Sequence, residues 1–122
     1  MDFDLLEALA EDIYKTLGRF HPKIIYVNAL ELEFLKRKIP FVKNRSFPLL
    51  YNDQMLGNFM FDFIIDSIPI DVIVANDIDV EYIELFKNRM RNIKTNEGYI
   101  ICFVRKNAEK YIIVSRIKLD LS

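Results

Sequence analysis

Leu56–Ala75 reads LGNFMFDFIIDSIPIDVIVA. It predicts two apolar strands joined by a short turn at Asp66-Ser67, with Pro69 opening the second strand, a place where proline is allowed. Each strand carries one acid in its middle: Asp62 between Phe61 and Phe63, and Asp71 between Ile70 and Val72. A carboxylate inside such a strand costs several kcal/mol unless it is paired, solvated or bound to a metal. Two of them on neighbouring strands mark a candidate site. Strand alternation places Phe59, Phe61, Phe63 and Ile65 on one face and Met60, Asp62 and Ile64 on the other. In the second strand Ile70, Val72 and Val74 share a face opposite Asp71 and Ile73.

On the N-terminal side, Leu6, Leu9, Ile13 and Leu17 recur at helical spacing and predict an amphipathic helix over residues 3–17, ended by Gly18. Pro22 suits the first turn of a second helix, 22–37. That helix is apolar on two sides, with Val27, Leu30 and Phe34 on one stripe and Ile25, Ala29 and Leu32 on another. Such a helix is buried between layers or lies in an interface. His21 is the only histidine, and a lone loop histidine before proline reads as a surface residue rather than a ligand or base. Ile39–Phe47 is expected to be a first strand, and Pro48 separates it from a short strand, Leu49–Tyr51. Asn52-Asp53-Gln54 reads as a turn before the long strand 55–65.

Downstream, Asp79 caps a helix over 79–94 with Val80, Ile83, Phe86, Met90 and Ile93 as its buried stripe. Lys87 and Arg91 lie one turn apart on its open side. They read either as a phosphate-binding patch for nucleic acid or as a solvated face with ion pairs, and the interleaved acids favour the second. Gly98–Val104 is a continuous apolar run, expected to be a strand buried on both faces. A polar turn at 106–110 and a strand at 111–115 follow. The expected order is α-α-β-β-β-β-α-β-β, a mixed α/β sheet with helices packed on it.

At 122 residues the chain is one domain with one core. Its 17 basic and 18 acidic residues balance, which excludes the global basic charge that drives non-specific nucleic-acid binding. The single Cys102 excludes an intramolecular disulfide and suits a reducing compartment. The acidic N-terminus predicts no secretory signal, and no apolar run nears the length of a membrane span. A cytoplasmic location is the expectation. Gly-rich phosphate loops, zinc-ligand spacing and His-based triads are all missing from the sequence.

The element order, with acids on consecutive strands of the meander, resembles the restriction-endonuclease-like core of the PD-(D/E)xK nucleases. More narrowly, the chain is similar to the GxxExxY family within that group. Ile13-Tyr14-Lys15-x-Leu17-Gly18 resembles its VHKxLG helix end. Tyr26 matches the final Tyr of GxxExxY, with Ala29-Leu30 after it. Leu56-Gly57 followed by Asp62 keeps an LG-x4-D spacing, and Gly98–Phe103 resembles a GLLINF strand.

The resemblance implies a metal site: Asp62 falls on the first acid and Asp71 on the second, as ligands of magnesium or manganese in an active member. It also exposes departures. The motif lysine position is Ile73. The Gly and Glu of GxxExxY are Phe20 and Lys23, and the Gln of the later helix is Leu85. Two facing acids without a metal repel, and Lys23 is placed to neutralise them, an ammonium standing where the ion stood. The alternative is a solvated Lys23 with both aspartates at the sheet rim.

Three functions are consistent with this. One is a nuclease-like protein that has lost catalysis and works by binding itself, a protein partner or nucleic acid. Another is an active metal-dependent nuclease with Glu33 or Lys36 completing the site. The last is a structural subunit of a larger complex. The first is the reading the substitutions favour, with no cofactor required.

Overall fold

The computed structural model describes residues 2–106 and 109–120. Three helices and five strands follow one another as α1 (Phe3–Leu17), α2 (Lys23–Lys36), β1 (Val42–Tyr51), β2 (Gln54–Ile65), β3 (Ile68–Ala75), α3 (Val80–Asn92), β4 (Glu97–Val104) and β5 (Ile112–Lys118). The strands form one sheet in the order β1-β2-β3-β4-β5. Only β3 and β4 run parallel, because α3 carries the chain from one to the other. The remaining pairs are antiparallel. This is the expected mixed α/β sheet. Asn107 and Ala108 of the expected turn, and Leu121 and Ser122 of the tail, lie outside the described residues.

The strand count differs from the expectation by one, and the order is α-α-β-β-β-α-β-β. Pro48 does not divide the chain. It sits inside β1 opposite Asn58, one residue before a register shift at Leu49/Leu50. β1 is an edge strand, so the missing proline N–H costs no ladder bond when it faces outward. Both hairpin turns are two-residue turns at positive φ: Asn52 and Asp53 at 48° and 62°, Asp66 and Ser67 at 51° and 66°. Short polar side chains tolerate that backbone, and its twist suits the flanking strands.

Each face of the sheet has its own core. Leu6, Leu9, Ala10 and Ile13 of α1 and Tyr26, Val27, Leu30 and Phe34 of α2 pack on Phe63, Ile65, Ile70, Val72, Tyr99, Ile101 and Phe103. On the other face, Phe86 and Met90 of α3 pack with Phe59, Phe61, Ile64, Ile100 and Ile117. α3 approaches closely because Gly98 has no side chain: a Cβ there would lie 2.7 Å from the Phe86 ring. Val80, expected in the buried stripe of α3, is exposed instead. On α2 the Val27-Leu30-Phe34 stripe is buried, while Ile25 and Leu32 on the other stripe are exposed, so this helix is not sandwiched between layers.

β2 departs from simple alternation. Phe59 and Phe61 join the α3 face, yet Phe63 and Ile65 join the α1/α2 face. The expected single row of four is therefore split at Asp62. Both ladders skip this residue. The pairing with β1 omits Asn44 opposite Asp62, and Asn44 takes φ 55°. The pairing with β3 covers only Phe63–Ile65 against Ile68–Ile70. One irregular residue reverses the sidedness of everything beyond it.

Candidate functional site

The break in the sheet is where the two acids meet. In place of regular ladder bonds, side chains take the backbone donors. The Asp62 N–H donates to Asp71 Oδ1 at 3.1 Å, and the Val72 N–H donates to Asp62 Oδ2 at 2.7 Å. Each carboxylate thus holds the other strand. Asp71 is the one buried polar or charged residue among those described, at 3% exposure, so its bonds are obligatory.

Two helices complete the surroundings. Asp79 caps α3 by accepting the Tyr82 N–H at 2.8 Å, which starts the helix beside the end of β3. From this first turn the Tyr82 hydroxyl donates to Asp71 Oδ2 at 2.7 Å. From the other face, the first residue of α2 brings Lys23 Nζ to 3.0 Å from Asp62 Oδ2. The Lys23 side chain is 49% exposed and that of Asp62 13%, so the pair is only partly screened by solvent.

Burial raises the Asp71 carboxyl above its usual range, with the Asp62 charge adding to the rise; the Tyr82 and Asp62 N–H hydrogen bonds and the Lys23 charge oppose it. Tyr82 is also raised, first by burial and then by the charge of Asp71. It is a proton donor to Asp71 across the physiological range.

Where β2 and β3 part, a cleft of about 610 Å³ opens, lined by Phe20, His21, Pro22, Lys23, Val72, Ile73, Val74, Tyr82 and Arg105. Ile73, at the motif-lysine position, brings neither charge nor a side-chain hydrogen bond to this cleft. His21 Nε2 lies 2.7 Å from the Leu17 carbonyl and so carries a proton for that bond. Tyr26 is not part of the cleft lining. Its hydroxyl donates to the Gly18 carbonyl at 2.7 Å and its ring stacks on Phe103 at 4.2 Å, which ties the end of α1 to the start of α2 and to β4. It thereby fixes where Lys23 sits.

Other candidates are not brought here. Lys87 lies 3.7 Å from Glu84, Arg91 donates to Asn88 at 2.6 Å, and neither lines the cleft. Leu85 is exposed on α3. Glu33 pairs with Arg37 near the end of α2, and Lys36 is the last residue of that helix. At 1.5 Å rise per residue they stand ~15 and ~20 Å from Lys23 along the axis, too far to complete the site.

The donor set fits a divalent ion poorly. Three of the four carboxylate oxygens of Asp62 and Asp71 already accept bonds within the chain. Among the described residues no third His, Cys, Asp or Glu joins them, and an ammonium lies against Asp62 Oδ2, the oxygen that also accepts the Val72 N–H. Magnesium and manganese sites of this kind take oxygen ligands and exclude a fixed cation. Tyr82 is the participant that sequence reasoning missed. Its signal was its place three residues after the Asp79 cap, in the turn of α3 that faces the end of β3.

A family model described as the PD-(D/E)XK nuclease superfamily matches residues 3–116. No curated protein and no solved structure matches the chain. Among the described residues no helix is long and apolar enough to cross a membrane.

Proposed function

The chain belongs to the PD-(D/E)XK nuclease superfamily, and from that membership we propose a catalytically degenerate domain of the GxxExxY kind that acts by binding a partner. The observation that carries this reading is the 3.0 Å contact between Lys23 Nζ and Asp62 Oδ2. A nuclease of this group needs a metal at these acids to activate a water and to steady charge building on the phosphate. Here an ammonium balances the first acid, and a tyrosine hydroxyl engages the second. Ile73 supplies no support for an attacking water. What the arrangement does well is hold two strands and two helices in register while leaving a cleft beside them.

The test is calorimetric titration of the whole chain with manganese, beside Asp62→Asn and Lys23→Glu. The expected result is no specific binding in the natural chain or in Asp62→Asn. Binding is expected to appear in Lys23→Glu, where a third carboxylate replaces the cation. Binding by the natural chain that disappears in Asp62→Asn overturns the proposal. It would favour a metal-dependent nuclease using Asp62 and Asp71, and a cleavage screen on DNA and RNA would follow.

A further inference from the structure

We propose that the parted edge of β3, Val72–Ala75, takes an extended acidic peptide of a partner protein as an added strand. The ladder between β2 and β3 ends at the Phe63–Ile70 pair, whereas β3 stays paired with β4 as far as Ala75. Val72 turns its N–H toward β2 and meets the Asp62 carboxylate there. Ala75 faces β4, and its carbonyl accepts the Arg105 N–H at 3.1 Å. Alternation therefore turns the N–H and C=O of Val74 to the β2 side, where β2 offers no ladder partner. A strand edge with an unused donor and acceptor is a template for strand addition. The cleft of about 610 Å³ runs along Val72, Ile73 and Val74 and gives an added strand its room.

Charge selects the occupant. Lys23 and Arg105 line the cleft, and no acid does. An adjoining cavity of about 460 Å³ shares Val74 and Arg105 with it, adds Lys106, and again has no acid in its lining. Arg105 and Lys106 take part in no ion pair among the described residues. Lys23 is paired with Asp62 but half exposed, and an ammonium has three donors to share. The acids nearby are already engaged: Asp62 and Asp71 hold each other's strands, and Asp77 and Asp79 accept the N–H groups of Ile78 and Tyr82. Between the cations the wall is apolar, roughly 10 Å of strand from Val72 to Ala75. A peptide that alternates acidic and apolar residues answers the cations, the wall and the Val74 backbone together. A phosphodiester chain answers the cations alone, with no apolar side chain for the wall and no backbone N–H for the Val74 carbonyl.

This deepens the binding reading above and rests on it, but the two fail separately: calorimetry reads the metal, and amide shifts read the peptide. The probe is the blocked peptide acetyl-Glu-Val-Glu-Val-Glu-amide, titrated into the isotope-labelled whole chain and followed by NMR. Saturable shifts are expected at the amides of Val72–Ala75, with slower hydrogen exchange at Val74. Arg105→Glu leaves the fold's bonds in place, since only the Arg105 backbone makes them, and is expected to weaken binding about tenfold. Acetyl-Lys-Val-Lys-Val-Lys-amide is expected not to bind. Two N-methylated forms of the acidic peptide test the ladder itself, one blocking the valine N–H groups and the other those of the glutamates. Only one set can face β3, so one form is expected to lose about tenfold while the other binds like the parent. No saturable shift with the parent peptide, equal binding by the lysine peptide, undiminished binding in Arg105→Glu, or equal behaviour of the two methylated forms would each overturn the proposal. So would an oligothymidylate that shifts the same amides at lower concentration than the peptide, which would assign the edge to nucleic acid.

Discussion

The two halves of β2 share one strand and little else. At Phe63 and Ile64 the strand is paired on both sides, Ile65 pairs with β3, and all three are buried. From Gln54 to Phe61 it is paired on one side; Phe59 and Phe61 enter the α3 core, while Gln54, Met55, Leu56, Asn58 and Met60 are exposed. The boundary is Asp62. A carboxylate in mid-sheet accepts backbone N–H bonds that strands would otherwise exchange, and here two carboxylates do so reciprocally. The exchange holds the chains together at one point and releases them beyond it. A cleft on the β3 side and a free edge on the β2 side are two consequences of that single substitution of side-chain for ladder bonds.

The strongest way to break the contrast is to truncate one apolar side chain in each half, a buried one and an exposed one. Phe63 is fully buried and meets the Phe34 ring edge-on at 5.1 Å and the Phe41 ring at 5.7 Å. Phe63→Ala is expected to cost about 3–5 kcal/mol in urea unfolding. Met60→Ala, three residues away on the free half, is expected to change the chain's stability by roughly 0.5 kcal/mol or less. Comparable losses at the two positions would mean that the free half is as integral to the fold as the paired half.

A smaller effect sharpens the boundary itself. Lys23→Ala removes the cation from Asp62 while leaving both carboxylates. Because Lys23 is half exposed, the expected cost is about 1 kcal/mol, weaker in high salt. The loss should shrink in the Asp62→Asn background, where no charge is left unbalanced. Equal losses in both backgrounds, measured by a double-mutant cycle, would show that Lys23 acts through packing of its stem rather than through Asp62.

The location of this boundary was legible in the sequence, because an acid in an apolar run is expensive and so rarely accidental. The helices at 3–17 and 79–94 were legible because their apolar residues recur at helical spacing, with Val80 the exception, and the strand at 98–104 because its run is apolar without a break. The reversal of faces at Asp62 was not. Alternation assumes that every residue takes its place in the ladder, and the residue that fails to do so is identified only by the partner that captures its N–H. Pro48 misled in the opposite sense. Proline breaks a central strand, and only the strand order reveals that β1 is at the edge. Lys23 entered through a family pattern, since its partner lies 39 positions away in the chain. Tyr82 follows the Asp79 cap but falls outside the apolar stripe read on α3, and only the fold shows its hydroxyl reaching Asp71.

The smallest effect concerns charge on the buried side of the boundary. Burial raises the Asp71 carboxyl, and the Asp62 charge adds to the rise. The native chain therefore keeps the Asp71 proton to a higher pH than the unfolded chain does. Between the two values the native state binds more protons, so stability falls as pH rises through that window and is level above it. Glu97 runs the other way: burial alone would raise it, but the hydrogen bond and charge of Arg116 win and hold it low. Its contribution is lost as pH falls, so the raw profile mixes two opposite slopes. Subtraction separates them. Asp71→Asn keeps an oxygen for the Asp62 N–H and a polar partner for Tyr82, but nothing that titrates. The difference in unfolding free energy, Asp71→Asn minus natural chain, is expected to rise through the window where Asp71 ionises and then stay flat, by less than the effect of Lys23→Ala. A difference that is flat across the acid range would mean that Asp71 ionises as easily in the fold as outside it. The hydrogen bonds and Lys23 would then fully offset its burial.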